Sequence, residues 1–216
     1  MKREGEHMIF RTALEQYLSP EQLSVLGSVK IGIAGAGGLG SNCSVCLVRS
    51  GFRRFRIIDY DCVEPGNLNR QFFFPDQIGM PKVDALAQTL RRIEPDLELE
   101  LIRQKITAED AGGWFQDCDV VLECVDVAAT KALLVEQYAP TGKLVVAVSG
   151  IAGWGESDRL RVRNRGGNLY LIGDETSGVD RLPPLAPLVT AAAAKQADIV
   201  LAHILDRLED KKGRGR

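Results

Sequence analysis

Long apolar runs, a charge excess of either sign and an even set of cysteines are all missing from this sequence. No stretch approaches the roughly 18 consecutive apolar residues that a membrane span needs, and the N-terminus has no apolar run of signal-peptide length. We therefore expect a cytoplasmic protein that does not enter a membrane. A formal net charge of −2 and a pI near 5.8 provide no overall field for nucleic acid or an anionic membrane surface. Five cysteines, an odd number, are typical of reduced thiols and not of a secreted disulfide framework.

A glycine-rich stretch, Val29–Asn42 (VKIGIAGAGGLGSN), is the most informative part of the chain. Its apolar start predicts a strand and its continuation predicts a helix. Gly35, Gly37 and Gly40 fit the spacing G-x-G-x-x-G, which permits a tight turn, close approach of the backbone to phosphate oxygens and close contact between helix and strand. Free amides at the helix start, together with the helix dipole, favour an anion. The stretch predicts a nucleotide site, although many dehydrogenases carry the same motif.

The hydrophobic pattern predicts an α/β fold in a single domain covering residues 1–216. Apolar runs and helical periodicities alternate as β-α-β-α-β-α-β-α-β, which favours a Rossmann-like, doubly wound, mainly parallel sheet. After the first strand, the predicted strands are Arg54–Asp59, Leu97–Ile102, Val120–Val125 and Leu144–Ser149. The predicted helices include one running from Ser19 towards Leu26, Pro81–Ile93, a weak one at Thr107–Phe115, and Ala128–Tyr138.

Beyond Gly150 the pattern changes. Arg159–Asn164 and Asn168–Ile172 predict an antiparallel hairpin, and Ala191–Leu208 predicts a closing helix. We expect residues 1–8 and 210–216 to be flexible, because both ends are polar and lack apolar periodicity.

Charged residues fall where the predicted strands end. In an open α/β sheet, ligands bind outside the carboxyl ends of the strands, and the glycine loop, Asp59 and Asp126 all follow such ends. Asp59 is 19 residues beyond Gly40, where dinucleotide-binding folds place a carboxylate on the ribose. Arg70 and Lys82 can neutralise a triphosphate, and Asp126 can hold the Mg²⁺ that such a ligand brings. Taken singly, each of these residues is also compatible with an ordinary solvated surface position.

The connection Asp61–Gly79 is rich in proline, glycine and asparagine. Connections longer than about 12–15 residues are usually either functional or disordered. Phe72, Phe73 and Phe74 favour order, since three adjacent aromatic side chains are costly to leave in water. We expect this loop to pack on its own domain or on a second subunit.

Four motifs in order, GAGGLGSN, IIDYDCVEPGNLNRQ, IGMPK and ECVDVAATK, resemble the ThiF/MoeB/HesA adenylyltransferases, bacterial relatives of the ubiquitin-activating enzymes. The resemblance covers Lys30 to Leu205. The compact length, SGIAGWG and PLAPLVTAAAAKQADIVL are most similar to the short ThiF-like branch of thiamine biosynthesis.

The resemblance implies ATP and Mg²⁺ as cofactors. It also implies that the C-terminal Gly-Gly carboxylate of a small ubiquitin-like sulfur carrier, ThiS-like, attacks the α-phosphate of ATP. Pyrophosphate leaves, and a separate sulfur donor acts on the acyl-adenylate.

Carried over residue by residue, the resemblance assigns roles to most of the charged and glycine positions. The residues implied to bind the nucleotide are Gly35, Gly37, Gly38, Gly40, Asp59, Asp61, Asn67, Arg70, Gln71 and Lys82. Arg70, Lys82 and Asp126 are implied to be catalytic, with Asp126 also the Mg²⁺-linked acid. The resemblance further implies a homodimer, and it leaves open whether Arg11 reaches the ATP of the neighbouring subunit.

The cysteines depart from the longer relatives, which carry two late CxxC pairs for structural zinc. No cysteine follows Cys124. Cys43 and Cys46 have zinc-like spacing, but they lie one turn apart inside the helix behind the glycine loop, and a structural zinc site needs four ligands. We expect both to pack in the core and no zinc site to form. Cys62 remains open as a reactive thiol.

Other functions share part of this pattern. An NAD-dependent oxidoreductase would use the glycine loop and Asp59, but it leaves Arg70, Lys82 and Asp126 without a common task. A non-catalytic nucleotide-binding partner subunit is a second alternative, against which the retained charged positions argue. A related enzyme could instead act on a MoaD-like carrier or on a tRNA base. Action on tRNA favours a basic surface, which the net charge does not suggest.

Overall fold

The computed structural model describes residues 10–178 and 180–214, so the prediction for residues 1–8 lies outside the described part. The strands are β1 (Lys30–Ala34), β2 (Arg54–Ile58), β3 (Glu98–Ile102), β4 (Val120–Glu123), β5 (Leu144–Val148), β6 (Arg161–Asn164) and β7 (Leu169–Gly173). They form a seven-stranded sheet in the order β3-β2-β1-β4-β5-β7-β6, antiparallel only between β6 and β7. The predicted doubly wound, mainly parallel sheet with an antiparallel hairpin is confirmed.

Helices cover both faces of this sheet. They are α1 (Pro20–Ser28), α2 (Gly38–Arg49), α3 (Lys82–Arg91), α4 (Ala128–Tyr138) and α5 (Ala186–Arg214), and residues 10–14 are also helical. The start of α1 follows from its sequence. The Ser19 hydroxyl accepts a hydrogen bond from the Gln22 amide, and the Gln22 side chain accepts one from the Ser19 amide, so that two free helix donors are satisfied.

The sheet separates two layers of hydrophobic core, one on each of its faces. On one face, side chains of β1, β2 and β4 such as Ile31, Phe55 and Leu122 pack with α2, α3 and α5. On the other face, a smaller cluster that includes Val121 gathers under α4 and the segment that connects β3 to β4. This alternation of neighbouring residues between two faces is what a fully buried parallel strand requires.

The predicted helix at Thr107–Phe115 is wrong: the segment forms turns. Gly112 and Gly113 disfavour a helix, and the apolar residues are held by tertiary contacts instead. The Tyr138 hydroxyl donates to the Ala111 carbonyl at 2.5 Å and accepts the Phe115 amide at 2.9 Å. The crossover from β3 to β4 is therefore an anchored loop.

The closing helix is longer than the prediction. It reaches Arg214, so residues 210–214, which we expected to be flexible, are helical. Lys212 explains part of the extension, since its Nζ lies 2.8 Å from Oε2 of Glu21 in α1.

The Ala186–Asp210 part of α5 is also long and apolar enough, by length and composition, to cross a membrane, and 39% of an apolar 18-residue stretch within it is buried. A core helix passes the same test. We interpret α5 as a core helix because Ala192, Ala193, Ala197 and Val200 lie in the larger core.

Candidate functional site

The glycine loop joins β1 to α2 at the carboxyl edge of the sheet. Gly35 has a φ of 97°, and a Cβ there would lie 2.8 Å from the Cys124 carbonyl oxygen. A Cβ on Gly40 would lie 1.9 Å from the Gly35 carbonyl oxygen, and one on Gly38 would lie 2.8 Å from Val189 Cγ1. At Gly37 the nearest atom is Gln71 Nε2, at 3.7 Å. Three glycines therefore permit close packing, whereas a Cβ on Gly37 would make only an ordinary contact with Gln71.

This loop has the properties of a phosphate site. Gly37 is the N-cap of α2, and among the described residues no side chain caps that helix start, so its first amides lack acceptors. Gln71 is 8% exposed, and its Oε1 accepts no hydrogen bond from the described residues. Buried polar atoms without partners are rare in folded proteins. Gln71 Nε2 is the atom nearest the Cβ position of Gly37, so its NH₂ group can donate to a phosphate oxygen held at the loop.

Asp59 connects the glycine loop to the loop that follows β2. Its Oδ2 accepts the Ala36 amide at 2.7 Å and its Oδ1 accepts the Asp61 amide at 2.9 Å. Burial raises the pKa of the Asp59 carboxyl, although these two amides and the Lys82 ammonium act in the opposite direction. Each oxygen keeps a further lone pair, which fits a ribose hydroxyl. Lys82, itself 8% exposed at its side chain, pairs with Asp61 at 2.7 Å.

Arg70 lies against the start of α2. Its carbonyl accepts a hydrogen bond from Asn42 Nδ2 at 2.9 Å, and its Nη1 donates to the Gly66 carbonyl and to Asn69 Oδ1. Asn67 differs, because its Oδ1 accepts the Glu64 amide at 3.0 Å and so stabilises its own turn. The structure thus places Arg70 beside the glycine loop and gives Asn67 a local role.

Asp126 is exposed on the loop between β4 and α4. Since Glu123 of β4 is opposite Ala34 of β1, this loop opens on the same edge as the glycine loop. In residues 10–178 and 180–214 no hydrogen bond or ion pair to Asp126 is found, and no group of three or more His, Cys, Asp and Glu side chains could hold a metal. Mg²⁺ commonly takes one or two carboxylates and completes its shell with water and phosphate oxygens, so a lone Asp126 fits Mg²⁺ brought by a nucleotide.

We name Asp59, Asp61, Arg70, Lys82 and Asp126 the carboxyl-edge cluster. Several side chains that support it were not predicted. Ser41 Oγ donates to the Gly37 carbonyl at 2.6 Å and accepts the Phe72 amide at 2.9 Å, so it joins the glycine loop to the long connection. The sequence signal for this residue was a polar side chain directly after the glycine motif.

The three adjacent phenylalanines do not share one environment. Phe73 is buried in the core, whereas Phe72 and Phe74 remain 36% and 39% exposed and contact each other edge to face. The loop is therefore ordered by its own domain and leaves part of its aromatic surface open.

Cys43 is buried in the larger core and Cys46 packs against it, which confirms the predicted packing of this pair. Burial raises the pKa of the Cys118 thiol to about 11 and also raises the pKa values of Cys43 and Cys124. Cys62 is partly exposed and accepts a hydrogen bond from Arg103 Nη2 at 3.3 Å.

Two surface clefts lie away from this site. One, of about 440 Å³, is lined by residues that include Arg11 and Glu98, and the other, of about 490 Å³, by residues that include Lys143 and His203. Neither is lined by a residue of the carboxyl-edge cluster.

Several solved structures share the fold. The E. coli tRNA N6-threonylcarbamoyladenosine dehydratase TcdA, in complex with AMP, has a TM-score of 0.79 at 19% identity and covers 94% of this chain and 95% of its own. E. coli MccB with ATP has a TM-score of 0.66 at 22% identity, covering 85% of this chain and 58% of its own. At these identities the likeness concerns the fold.

Sequence comparison identifies closer relatives. Ubiquitin-like modifier-activating enzyme 5 of Oryza sativa subsp. japonica is 43% identical over 109 residues, which are 44% of this chain and 26% of the relative. The adenylyltransferase and sulfurtransferase UBA4 of Candida glabrata is 32% identical over 142 residues, 65% of this chain and 33% of the relative. The matches thus span about a quarter to a third of these relatives. The ThiF family pattern matches residues 11–212, and the chain therefore belongs to the ThiF family.

Proposed function

We propose that this protein adenylylates the C-terminal Gly-Gly carboxylate of a small ubiquitin-like sulfur carrier of the ThiS type, in thiamine thiazole biosynthesis. One observation carries the proposal: a glycine loop whose first helix amides have no capping side chain in the described part of the chain, with the Gln71 amide beside it, shares one sheet edge with Arg70, Lys82 and Asp126. A hydride-transfer site has no common task for these three charged residues.

The chemistry requires the reactants to be positioned and their charge neutralised, and it needs no nucleophile from the protein. A carrier carboxylate oxygen attacks the α-phosphorus of ATP, the bond to the bridging oxygen breaks, and pyrophosphate leaves. The α2 amides and Gln71 hold phosphate oxygens, Asp59 holds the ribose, and Arg70 and Lys82 neutralise the phosphates. Asp126 is suited to Mg²⁺, which supplies positive charge to the triphosphate when bound.

The relatives support a small-protein substrate. Their names include ubiquitin-like modifier-activating enzymes and an adenylyltransferase and sulfurtransferase, and TcdA and MccB have been solved with AMP or ATP. Sulfur would then arrive from a separate donor protein.

A tRNA base is the second candidate substrate. The TcdA fold matches this chain almost end to end, covering 94% and 95% of the two chains, whereas MccB extends well beyond it. The net charge of −2 favours the carrier instead, since phosphate contacts from a basic surface dominate affinity for RNA.

Exchange of labelled pyrophosphate into ATP tests the proposal. We expect exchange with Mg²⁺ and a ThiS-like carrier, and none when the terminal Gly-Gly is removed. Parallel reactions contain a MoaD-like carrier or unmodified and modified tRNA. Exchange that responds only to tRNA would replace the proposal by the second candidate, and tighter binding of NAD than of ATP would overturn both.

We further propose a homodimer in which the open faces of Phe72 and Phe74 contribute to the interface. Arg11 lines the cleft with Arg54 and Glu98, which belong to the first halves of β2 and β3, and this cleft is remote from the glycine loop of its own chain. Any role for Arg11 in adenylylation would therefore be at a second subunit's site. Light scattering at micromolar concentration tests the dimer, and a monomer would refute it.

A further inference from the structure

A buried ion pair lies directly beside the loop that carries Asp126. Glu123, the last residue of β4, has a fully buried side chain. Both of its carboxylate oxygens accept hydrogen bonds from Lys131 Nζ, at 2.9 and 3.0 Å, and Lys131 lies in the first turns of α4. Asp126 lies between the two partners in sequence, so the ion pair closes a short loop around it.

The pair replaces main-chain bonds where two strands separate. The ladder between β4 and β5 ends at Leu122 and Val146. Beyond that point the Glu123 carboxylate accepts the Val125 amide at 2.9 Å and the Val148 amide at 3.4 Å. Lys131 Nζ donates to the Val148 carbonyl at 3.1 Å. Two side chains therefore fix the exit of β4, the end of β5 and the start of α4 relative to one another.

Stability alone is a poor explanation for this arrangement. Replacing a buried ion pair by apolar side chains of similar volume is often neutral or even stabilising, because both charges lose hydration on burial. An apolar pair, however, would leave the Val125 amide without this acceptor and would not define the direction in which the chain leaves β4. What the ion pair adds is a defined path for residues 124–127.

Resting on the adenylylation proposed above, we infer that Glu123 and Lys131 are positioning residues, whose ion pair sets where the Asp126 carboxylate stands relative to the phosphate loop. The pair itself touches neither nucleotide nor metal. Sites that use charge need their groups held within a fraction of an ångström, and residues behind the reacting groups supply that precision. The effect of losing the pair should therefore appear in the response to Mg²⁺ before it appears in nucleotide binding as such.

The main variant is the double replacement Glu123→Leu with Lys131→Met, which removes both charges and keeps the volume. Calorimetry measures binding of an ATP analogue that cannot be cleaved between the α- and β-phosphates, with and without Mg²⁺. We expect unchanged affinity without Mg²⁺, and a gain in affinity on adding Mg²⁺ that is at least about tenfold smaller than in the parent, on the scale reported for outer-shell partners of metal ligands. The single variant Lys131→Arg, which keeps the positive charge, should retain most of the parent's gain in affinity on adding Mg²⁺.

Two further variants complete the test. Glu123→Asp keeps the charge but shortens the reach, and it decides the question if the double variant does not fold; we expect its Mg²⁺ response to be weakened. Glu100→Asp makes the same change in an ion-pair cluster elsewhere on the sheet and should leave the Mg²⁺ response at the parent level.

A folded double variant, or Glu123→Asp, with the parent's Mg²⁺ response would overturn the inference, as would equal losses of affinity with and without Mg²⁺. Because this binding measurement needs no carrier, it remains decisive even if the parent fails to exchange pyrophosphate. That failure would count against the proposed function alone.

Discussion

Two charge clusters on one sheet differ in whether their charges are paired with one another. The structural charge cluster consists of Lys30, Arg56, Glu100 and Asp117, at the start of β1, in the middle of β2 and of β3, and in the loop before β4. Lys30 Nζ lies 2.6 Å from Asp117 Oδ2 and also contacts Glu100, while Arg56 Nε lies 2.6 Å from Glu100 Oε2 and also contacts Asp117. Each cation thus contacts both anions, and the charges cancel.

The carboxyl-edge cluster is not closed in this way. Lys82 and Asp61 form an ion pair, but within the described ranges neither Arg70 nor Asp126 has a partner of opposite charge. The pKa values follow the same division. Hydrogen bonds from Lys30 and Arg56 hold the pKa of Asp117 well below its usual range, whereas burial raises the pKa of Asp59. A cluster that cancels its own charges serves the fold, and one that leaves charges unpaired is suited to a charged ligand.

The largest expected effect comes from removing the unpaired charges. Arg70→Ala or Asp126→Ala should lower pyrophosphate exchange about 10²-fold or more, the scale of losing one electrostatic stabiliser, while leaving the unfolding temperature near that of the parent. Steady-state exchange assays measure the loss of rate, and thermal unfolding measures whether the unfolding temperature is retained.

Exposed residues of the same types provide the controls. Arg161→Ala on the edge strand β6 and Asp158→Asn should retain parent activity. Near-normal exchange in both Arg70→Ala and Asp126→Ala would mean that the reaction takes place elsewhere. The unpaired charges of the carboxyl-edge cluster would then have no role in it.

A pair of glycine substitutions should separate stability from binding. A Cβ on Gly32 would lie 2.3 Å from Phe115 Cδ1, so Gly32→Ala should cost about 1–3 kcal/mol of unfolding free energy through overpacking. The remaining folded protein should bind ATP normally. Gly37→Ala should weaken ATP binding and leave the unfolding free energy near that of the parent, because its Cβ would meet, among the described residues, only Gln71 Nε2, at 3.7 Å, and would project towards the phosphate loop.

Calorimetric unfolding and ATP titration check both substitutions, with Gly66→Ala as the control, since no atom lies within 4 Å of a Cβ there. Weakened ATP binding by Gly32→Ala at a temperature where it is fully folded would contradict the separation.

Much of this organisation follows from local sequence, and the exceptions are tertiary. The apolar runs of β1, β4 and β5 and the capping box at Ser19 are local features, so they were predictable. The anchored crossover was not, because Phe115 takes its place from the space over Gly32 and from the Tyr138 hydroxyl. The Glu123–Lys131 pair was not predictable either. The role of a single acid in an apolar strand depends on where the β4–β5 ladder ends, which is a tertiary feature.

The two clusters should change the stability of the protein in opposite directions as the pH falls. Asp117 and Glu100 have folded-state pKa values below their ordinary 3.8 and 4.5, so their contribution to stability is complete above these values and is lost as the pH falls below about 4.5. Asp59 has a raised pKa, so its titration makes stability decrease as the pH rises through the range just above 3.8.

Unfolding temperatures measured between pH 3 and pH 6 test these signs. Asp117→Asn should flatten the acid-induced loss of stability, and Asp59→Asn should steepen it, whatever constant offset each substitution adds. Equal slopes in the two variants would show that the clusters do not differ in this respect.

The smallest expected effect concerns the thiols, which belong to neither cluster. Adenylylation needs no thiolate, and the burial that raises the pKa values of Cys43, Cys118 and Cys124 keeps these thiols protonated near neutral pH. A variant with all five cysteines replaced by Ala or Ser, chosen to keep core volume, should form carrier adenylate at close to the parent rate. Intact-protein mass spectrometry of the parent during turnover should show neither a covalent carrier adduct nor bound zinc.

Cys62 is the thiol that tests this prediction most directly, because it is partly exposed and accepts a hydrogen bond from Arg103 Nη2. Cys62→Ser alone should therefore be compared with a variant that keeps Cys62 and replaces the other four. If a carrier adduct released by added thiol forms on the parent and on the second of these but not on Cys62→Ser, the loop after β2 would carry a covalent step. The carboxyl edge would then do more than position and neutralise charge.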